Sequence, residues 1–523
     1  MDAISRGNAG QVLAALKTPP PILGPEGSRI TVNETVGKFS FLYERIRNSV
    51  EYKDEHLIRK AAIQRILKRQ LILESNPTVI SDRLIRELIA ARYLPNATLP
   101  ESIIDDVAVR VRKFMAVSRI NAGGERHAEW LKGIISVEIE ELLVDATQEK
   151  ALVTFLYERL ADRIRVRGAT LDETERRLQV YVASYRSLVK ADDDMLGFKL
   201  LRAYLPEWLR SDEWIANPRP IAERLVAVHL RIRGRLGHPL AQRFLRVVKP
   251  WAVSLAILKD VLVEAKGEAG MVLDKPELLQ TKLSQKAEER YAQAKAKLRR
   301  GTVRAMVYLL ITKMLIALVV EVPIERWWYG HVGIFSLVVN MLFPPLTMLF
   351  VGILIKVPGQ DNTNRLKAGV MELLSGNPIT EREIRVPAAR RGMTGFLFGL
   401  AYAATFLLSF GLVAALLDLL EFTWVSSIMF MFFLCVVSFF GFRLRQTARE
   451  VVVVEGRQSL FSVFVDFLSL PILRAGQWLS TSISRLNIFL FIFDFIFEAP
   501  FKLFLTVLEE WFAFMKEKKD ELQ

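Results

Sequence analysis

Cysteine is all but missing: Cys435 is the single one among 523 residues. One thiol closes no disulfide within the chain and builds no thiolate metal centre. That poverty fits a reducing compartment. Histidine is scarce too; His56, His127, His229, His238 and His331 are scattered. His127 and Glu129, two residues apart, fall on different sides of a helix and make a poor ligand pair. The motifs HExxH, GxxxxGK followed by Ser or Thr, GxSxG and GxGxxG are absent. Asp361-Asn362-Thr363-Asn364 lacks the glycine and distal glutamate of a calcium loop. Asp192-Asp193-Asp194 reads as an acidic helix start. The expectation is a non-enzymatic protein with no cofactor and no metal. The first residues, MDAISRGNAGQVLAALK, show no basic stretch leading into an apolar core, so no secretory signal is expected.

What is present is uneven. Half the chain is apolar, yet the net charge is +14. Most of that charge lies in the first 300 residues, and the long apolar runs come after them. Residues 1–35, with Pro19-Pro20-Pro21, read as a flexible arm. Residues 36–300 read as amphipathic helices with short breaks, the best internal break being Asn121-Ala122-Gly123-Gly124, either a boundary between two subdomains or only a loop. Ile80, Leu84, Leu88 and Ala91 form one stripe of a 3.6-residue period. Asn76-Pro77 ends the helix before it. Thr98 to Glu101 and Thr170 to Glu173 have capping-box spacing. No strand pattern competes, so the fold class is all-α.

Two basic stretches stand out. Arg231, Arg233, Arg235, Arg243 and Arg246 face a single nearby acid, Glu223. No aromatic residues interleave them as a single-strand nucleic-acid platform needs. A solvated helix face is the plainer reading, with anionic lipid head groups ahead of nucleic acid as a partner. Lys295, Lys297, Arg299 and Arg300 lie just before the first apolar run and suit head-group anchoring.

A spanning helix needs about 20 mainly apolar residues. Four segments qualify, 305–322, 332–357, 393–420 and 423–442, in a transmembrane region of residues 301–442. Trp327-Trp328-Tyr329 marks an interface. The 358–392 connection carries Arg365, Lys367, Arg382, Arg385, Arg390 and Arg391; the 418–422 connection carries acids and no base. By the positive-inside rule both chain termini and the 358–392 loop are cytoplasmic, in a bacterial-type cytoplasmic membrane. Residues 443–523 read as an amphipathic, membrane-associated tail in which Asp466, Asp494 and Glu498 lie on polar stripes. The competing reading makes the tail a fifth and sixth span.

The misfit is Lys313, at the middle of the first apolar run. A charge at that depth costs at least about 2.5–3.5 kcal/mol and marks a functional site by default. Glu321 is eight residues on, about two turns away on a neighbouring face, and is expected to lie too far for a direct pair. Asn340, Asp466 and Asp494 are the expected partners. Pro344-Pro345 sits in the second span and is expected to kink it. Gly395, Gly399 and Ala403 make a small-residue face for helix packing, within one chain or in a homo-oligomer. The expected function is a membrane-anchored scaffold that docks a cytoplasmic protein. The alternative is a transporter or channel in which Lys313 and the proline-kinked helix line a polar site.

Overall fold

The computed structural model describes residues 6–17, 28–32, 41, 44, 54–120, 122–168, 170–355, 358–386, 392–448, 460–486, 507 and 511. The described chain is almost wholly helical. In order it forms α1 (Arg6–Lys17), α2 (Glu55–Leu73), α3 (Pro77–Ala90), α4 (Ile103–Ser118), α5 (Gly124–Leu143) and α6 (Thr147–Leu160). Then come β1 (Ile164–Arg167), α7 (Glu173–Leu188), α8 (Asp193–Tyr204), α9 (Arg219–Leu236), α10 (Ala241–Ala265) and α11 (Ala269–Asp274). The second half has α12 (Pro276–Ile316), a π turn (Ala317–Glu321), α13 (Val322–Tyr329), α14 (Ile334–Leu354), α15 (Gln360–Leu374), β2 (Arg382–Arg385), α16 (Met393–Leu419), α17 (Trp424–Ala448) and α18 (Leu460–Leu486).

These elements fall into two compact units. One is built from the chain up to Ala252 together with Leu373–Ile384; the other from Val253–Glu372 and from Arg385 through the last helix. The break lies earlier than the change of composition near residue 300, because α12 runs unbroken from Pro276 into the apolar stretch.

The first unit is a helical array over one core, in which Ile63, Ile80, Leu84, Val107, Ile134 and Leu225 are fully buried. The stripe of Ile80, Leu84, Leu88 and Ala91 faces inward. Asn76 caps α3 by accepting from the Thr78 amide at 3.0 Å, with Pro77 in the first turn. Neither expected capping box forms. Leu99 and Ala97 bond instead to Ile30, and α4 starts at Ile103; α7 starts at Glu173, whose carboxylate is taken by Arg176 and Arg177. Asp192 caps α8 through the Met195 amide at 2.9 Å. Lys60 of α2 bonds Asp192 and also Asp194, the latter at 2.6 Å.

Part of the expected amino-terminal arm is helix. α1 is too short to stand alone, but it docks on α6 and buries Ala9, Val12 and Ala15. The segment Leu373–Ile384 completes this unit. Arg159 of α6 donates to the carbonyls of Ser375 at 3.1 Å and Asn377 at 2.9 Å, Asn8 of α1 donates to Ser375 O at 2.6 Å, and β2 pairs with β1.

The second unit holds four helices long and apolar enough to cross a membrane, by length and composition. They are the 276–329 helix with its apolar end, α14, α16 and α17. Each turns large apolar side chains outward, among them Leu315, Leu318, Phe335, Ile353, Leu407 and Ile428, which suits a lipid environment. α12 packs along α14, α14 along α17, and α17 along α18. α18 therefore lies in the bundle, and it comes close enough that a Cβ at Gly476 would collide with the Cys435 carbonyl oxygen. Ser409 of α16 donates to Leu468 O at 2.9 Å.

Candidate functional site: a buried charge cluster in the apolar bundle

α12, α13, α14 and α17 enclose a cluster of polar side chains. Lys313, Glu321, Glu325, Asn340 and Ser426 all have no exposed surface. Lys313 Nζ donates to Glu321 Oε2 at 2.9 Å. The pair expected to be out of reach is therefore made. In a straight α-helix a spacing of eight is about 2.2 turns, which leaves the second residue well off the face of the first. The π turn between them absorbs one additional residue. The spacing of eight then acts as a spacing of seven, about two α-helical turns, and the two side chains share a face.

Glu321 Oε1 accepts from Asn340 Nδ2 at 2.6 Å and from Ser426 Oγ at 2.6 Å. Asn340 thus partners the acid rather than the lysine, and its second amide proton goes to Ser426 O at 3.0 Å. Ser426 Oγ also lies 2.9 Å from Glu325 Oε1, which takes a further bond from Thr423 Oγ1. Glu325 Oε2 and Asn340 Oδ1 are buried and find no hydrogen-bond partner among the described residues. The Phe433 ring centroid is 4.8 Å from Lys313 Nζ, a cation–π contact.

The cluster is ordered along the bundle. At one end Trp328 of α13 and Trp424 of α17 meet edge to face at 5.6 Å, both exposed, with Trp327 beside them. Glu325 is one turn inward of Trp328 and takes a bond from Thr423, which directly precedes Trp424; from Glu325 the bonded chain runs to Ser426, then to Glu321 with Asn340, then to Lys313. Beyond Lys313 the interior is filled by Leu309, Met348 and Val437, a buried apolar plug.

Other residues singled out in the sequence are dispersed. Pro344 and Pro345 are buried inside a helix that continues through both. Of the small-residue face Gly395, Gly399 and Ala403, the described structure leaves Gly399 and Ala403 exposed and Gly395 half-buried. Gly399 has nothing within 4 Å of a Cβ position, and α16 packs instead through Thr405, Ser409 and Leu417. Helix approach is made by Gly352 against Thr302, Gly441 against Val351 and Gly476 against Cys435. Asp466 lies in α18, but its side chain falls outside the described residues, as do Asp494 and Glu498 altogether. Lys295, Lys297, Arg299 and Arg300 are exposed on α12. On α9, Arg231 and Arg233 are exposed, Arg231 over the Tyr204 ring, while Arg235 is paired with Glu175; Arg246 of α10 is exposed and Arg243 half-buried.

Glu325, Thr423 and Ser426 had not been singled out. Glu325 was findable: it stands four residues after Glu321, on the same helix face. Two hydroxyls at the head of an apolar run carry no such signal. A second titratable pair lies in the first unit. His127 Nδ1 and His229 Nδ1 are 3.1 Å apart, and His229 stacks on Trp130 at 4.2 Å. Burial holds both imidazoles below their ordinary range, His229 down to about 4, with His127 and Arg233 adding repulsion. Among the described residues no group of three or more His, Cys, Asp and Glu is placed to hold a metal ion.

The chain matches no protein-family model, no curated protein and no solved structure.

Proposed function

We propose that this chain is a multi-pass integral membrane protein whose amino-terminal helical unit is a docking module at the cytoplasmic face, without catalytic chemistry of its own. The observation that carries the reading is the make-up of that unit, which incorporates Leu373–Ile384 from between the second and third apolar helices. A unit containing both stretches keeps them on one side of a bilayer, so the first two apolar helices cross as a pair. Lys295, Lys297, Arg299, Arg300, Arg365, Lys367 and Arg382 belong to that side, which favours the cytoplasm by the positive-inside rule. The membrane is a bacterial-type cytoplasmic membrane, and the carboxy-terminal lysines Lys516, Lys518 and Lys519 return to the same side. The partners are anionic lipid head groups under the α12 cations and a cytoplasmic protein on the basic face of α9, where Leu230, Arg231 and Arg233 are exposed.

Two measurements on the full chain test this. On a Cys435→Ser background, single cysteines at Ser75 and Asn377 should label from one side of the membrane and one at Glu421 from the other. Labelling of Ser75 and Asn377 from opposite sides would sink the topology. A photo-crosslinker at Leu230 should then capture one defined protein in native membranes, with loss of the adduct in Arg231→Glu/Arg233→Glu. Adducts to lipid alone would sink the docking role.

Transport is the second reading, favoured by the fully buried Lys313–Glu321 pair. The plug of Leu309, Met348 and Val437 argues against a standing pore. If transport is the function, Lys313→Met in proteoliposomes abolishes a flux that the wild-type chain supports.

A further inference from the structure

The polar cluster has a proton-counting problem. Ser426 Oγ carries one hydrogen, yet it stands within hydrogen-bond distance of two carboxyl groups, Glu321 at 2.6 Å and Glu325 at 2.9 Å. It donates to one of them only. Glu321 is fully served as a carboxylate, by Lys313 and Asn340 as well as by Ser426. For the second contact to be a hydrogen bond, the hydrogen must come from Glu325. The same conclusion follows from charge. Lys313 and Glu321 neutralise each other; an ionised Glu325 would leave one uncompensated charge in an apolar bundle, which desolvation strongly disfavours. It is also consistent with Glu325 Oε2, which has no partner among the described residues. A bare oxygen is tolerable on a neutral acid and costly on a carboxylate.

We propose that Glu325, Ser426 and Glu321 form a proton-binding relay, loaded from the tryptophan end of the bundle, that controls the Lys313 ion pair. In the resting state Glu325 holds the proton and gives its hydrogen bond to Ser426 Oγ. In the transfer step the Glu325 O–H bond breaks and its proton passes to Ser426 Oγ. The original Ser426 O–H bond breaks in concert, and that proton bonds to Glu321 Oε1. Glu325 becomes the carboxylate, Glu321 the acid, and Ser426 is unchanged in composition. Lys313 has then lost its counter-ion. Glu325 lies one turn below the exposed Trp328 and next to Thr423, so it takes up a second proton from that side. The apolar plug of Leu309, Met348 and Val437 stops the proton from continuing beyond Lys313. Among the described residues, the groups facing the relay are Lys313 from its own helix, Asn340 from α14, and Thr423 and Phe433 from α17 and its approach. The further charged groups at that end, Arg326, Asp418 and Glu421, are exposed to solvent. The ligand class is the proton, and the element it biases is the pair that closes the π turn.

Infrared difference spectroscopy on the full chain in lipid nanodiscs tests this, because protonated carboxyls absorb apart from carboxylates and shift in D2O. At neutral pH the wild-type chain should show a protonated-carboxyl band that Glu325→Gln removes and Glu325→Asp displaces. Acidification should add a second band that is missing in Glu321→Gln. Ser426→Ala should keep the first band while slowing appearance of the second by an order of magnitude or more. If Glu325→Gln removes no band, Glu325 is ionised and the proposal fails. If Ser426→Ala acquires the second band at the wild-type rate, Ser426 is no relay and the proposal fails there. Should Glu325→Gln not assemble, the Glu325→Asp displacement and the wild-type pH titration carry the same decision.

Discussion

Glu321 meets Lys313 at 2.9 Å because the helix between them takes a π turn at Ala317–Glu321. Removing either partner leaves the other charge buried, whereas replacing both leaves a neutral site. Lys313→Met should therefore cost about 3–5 kcal/mol, and Lys313→Met/Glu321→Gln should recover a large part of it. Denaturant unfolding of the full chain in detergent measures both. Equal losses in the single and double variants would mean that the pair is not coupled.

Deletion of Val319, whose side chain is exposed, removes one residue from the π turn. The remaining spacing of seven is about two α-helical turns, so the deleted chain should keep the pair. It should be far less destabilised than Lys313→Met in the same unfolding experiment. A loss as large as that of Lys313→Met would show that the π turn does more than set the register.

The His127–His229 pair should make the first unit acid-sensitive. Both imidazoles titrate below their unfolded value, His229 at about 4. The unfolded chain therefore binds more protons than the folded one between an unfolded pKa of about 6.5 and the folded value. Their contribution is fully present above about pH 6.5 and is lost as the pH falls from there toward 4. The melting temperature of the amino-terminal transition should drop across that window, and the drop should shrink in His229→Gln. An undiminished drop in His229→Gln would place the acid sensitivity elsewhere.

Glycines separate the true packing contacts from the apparent ones. Gly476→Leu drives a side chain into the Cys435 carbonyl and should cost about 1–3 kcal/mol or more, because two helices must part. Gly399→Leu adds a side chain to open space and should change stability by no more than about 0.5 kcal/mol. Thermal unfolding of the two variants in detergent compares them. A large loss in Gly399→Leu would reveal a contact with a second copy of the chain.

Arg159→Ala removes the donor to both Ser375 O and Asn377 O. Charge-assisted bonds of this kind contribute about 1.5–3 kcal/mol. Hydrogen exchange across residues 375–385 should quicken, with the α14 amides unaffected. Unchanged exchange in 375–385 would mean that β2 is held by its strand pairing alone.

Much of the architecture was readable from periodicity and composition. The Ile80–Ala91 stripe and the four apolar segments rest on single, strong patterns. The failures are those of local rules overridden by distant contacts. Thr98–Glu101 has the spacing of a capping box, but Ala97 and Leu99 are engaged by Ile30, far away in sequence. Lys313 was conspicuous because a charge in an apolar run has no neutral explanation. Its partner was not, because the expected angle between residues 313 and 321 assumed an unbroken α-helix. Ser426 and Thr423 become informative only once folding sets them against two carboxyls.

The sequence separation of 367 between Asn8 and the Ser375 carbonyl that it bonds has a consequence for how the chain is made. The first unit lacks its last strand until translation has passed Arg385, by which time two apolar helices have already left the ribosome. At synthesis rates of about 5–20 residues per second, α1 and α6 wait for tens of seconds with their Ser375–Asn377 site empty. During that interval the nascent unit exposes what the finished one covers. Its completion is therefore timed by the synthesis of the first two apolar helices, and a stall there would leave an incomplete unit for chaperones and proteases to find.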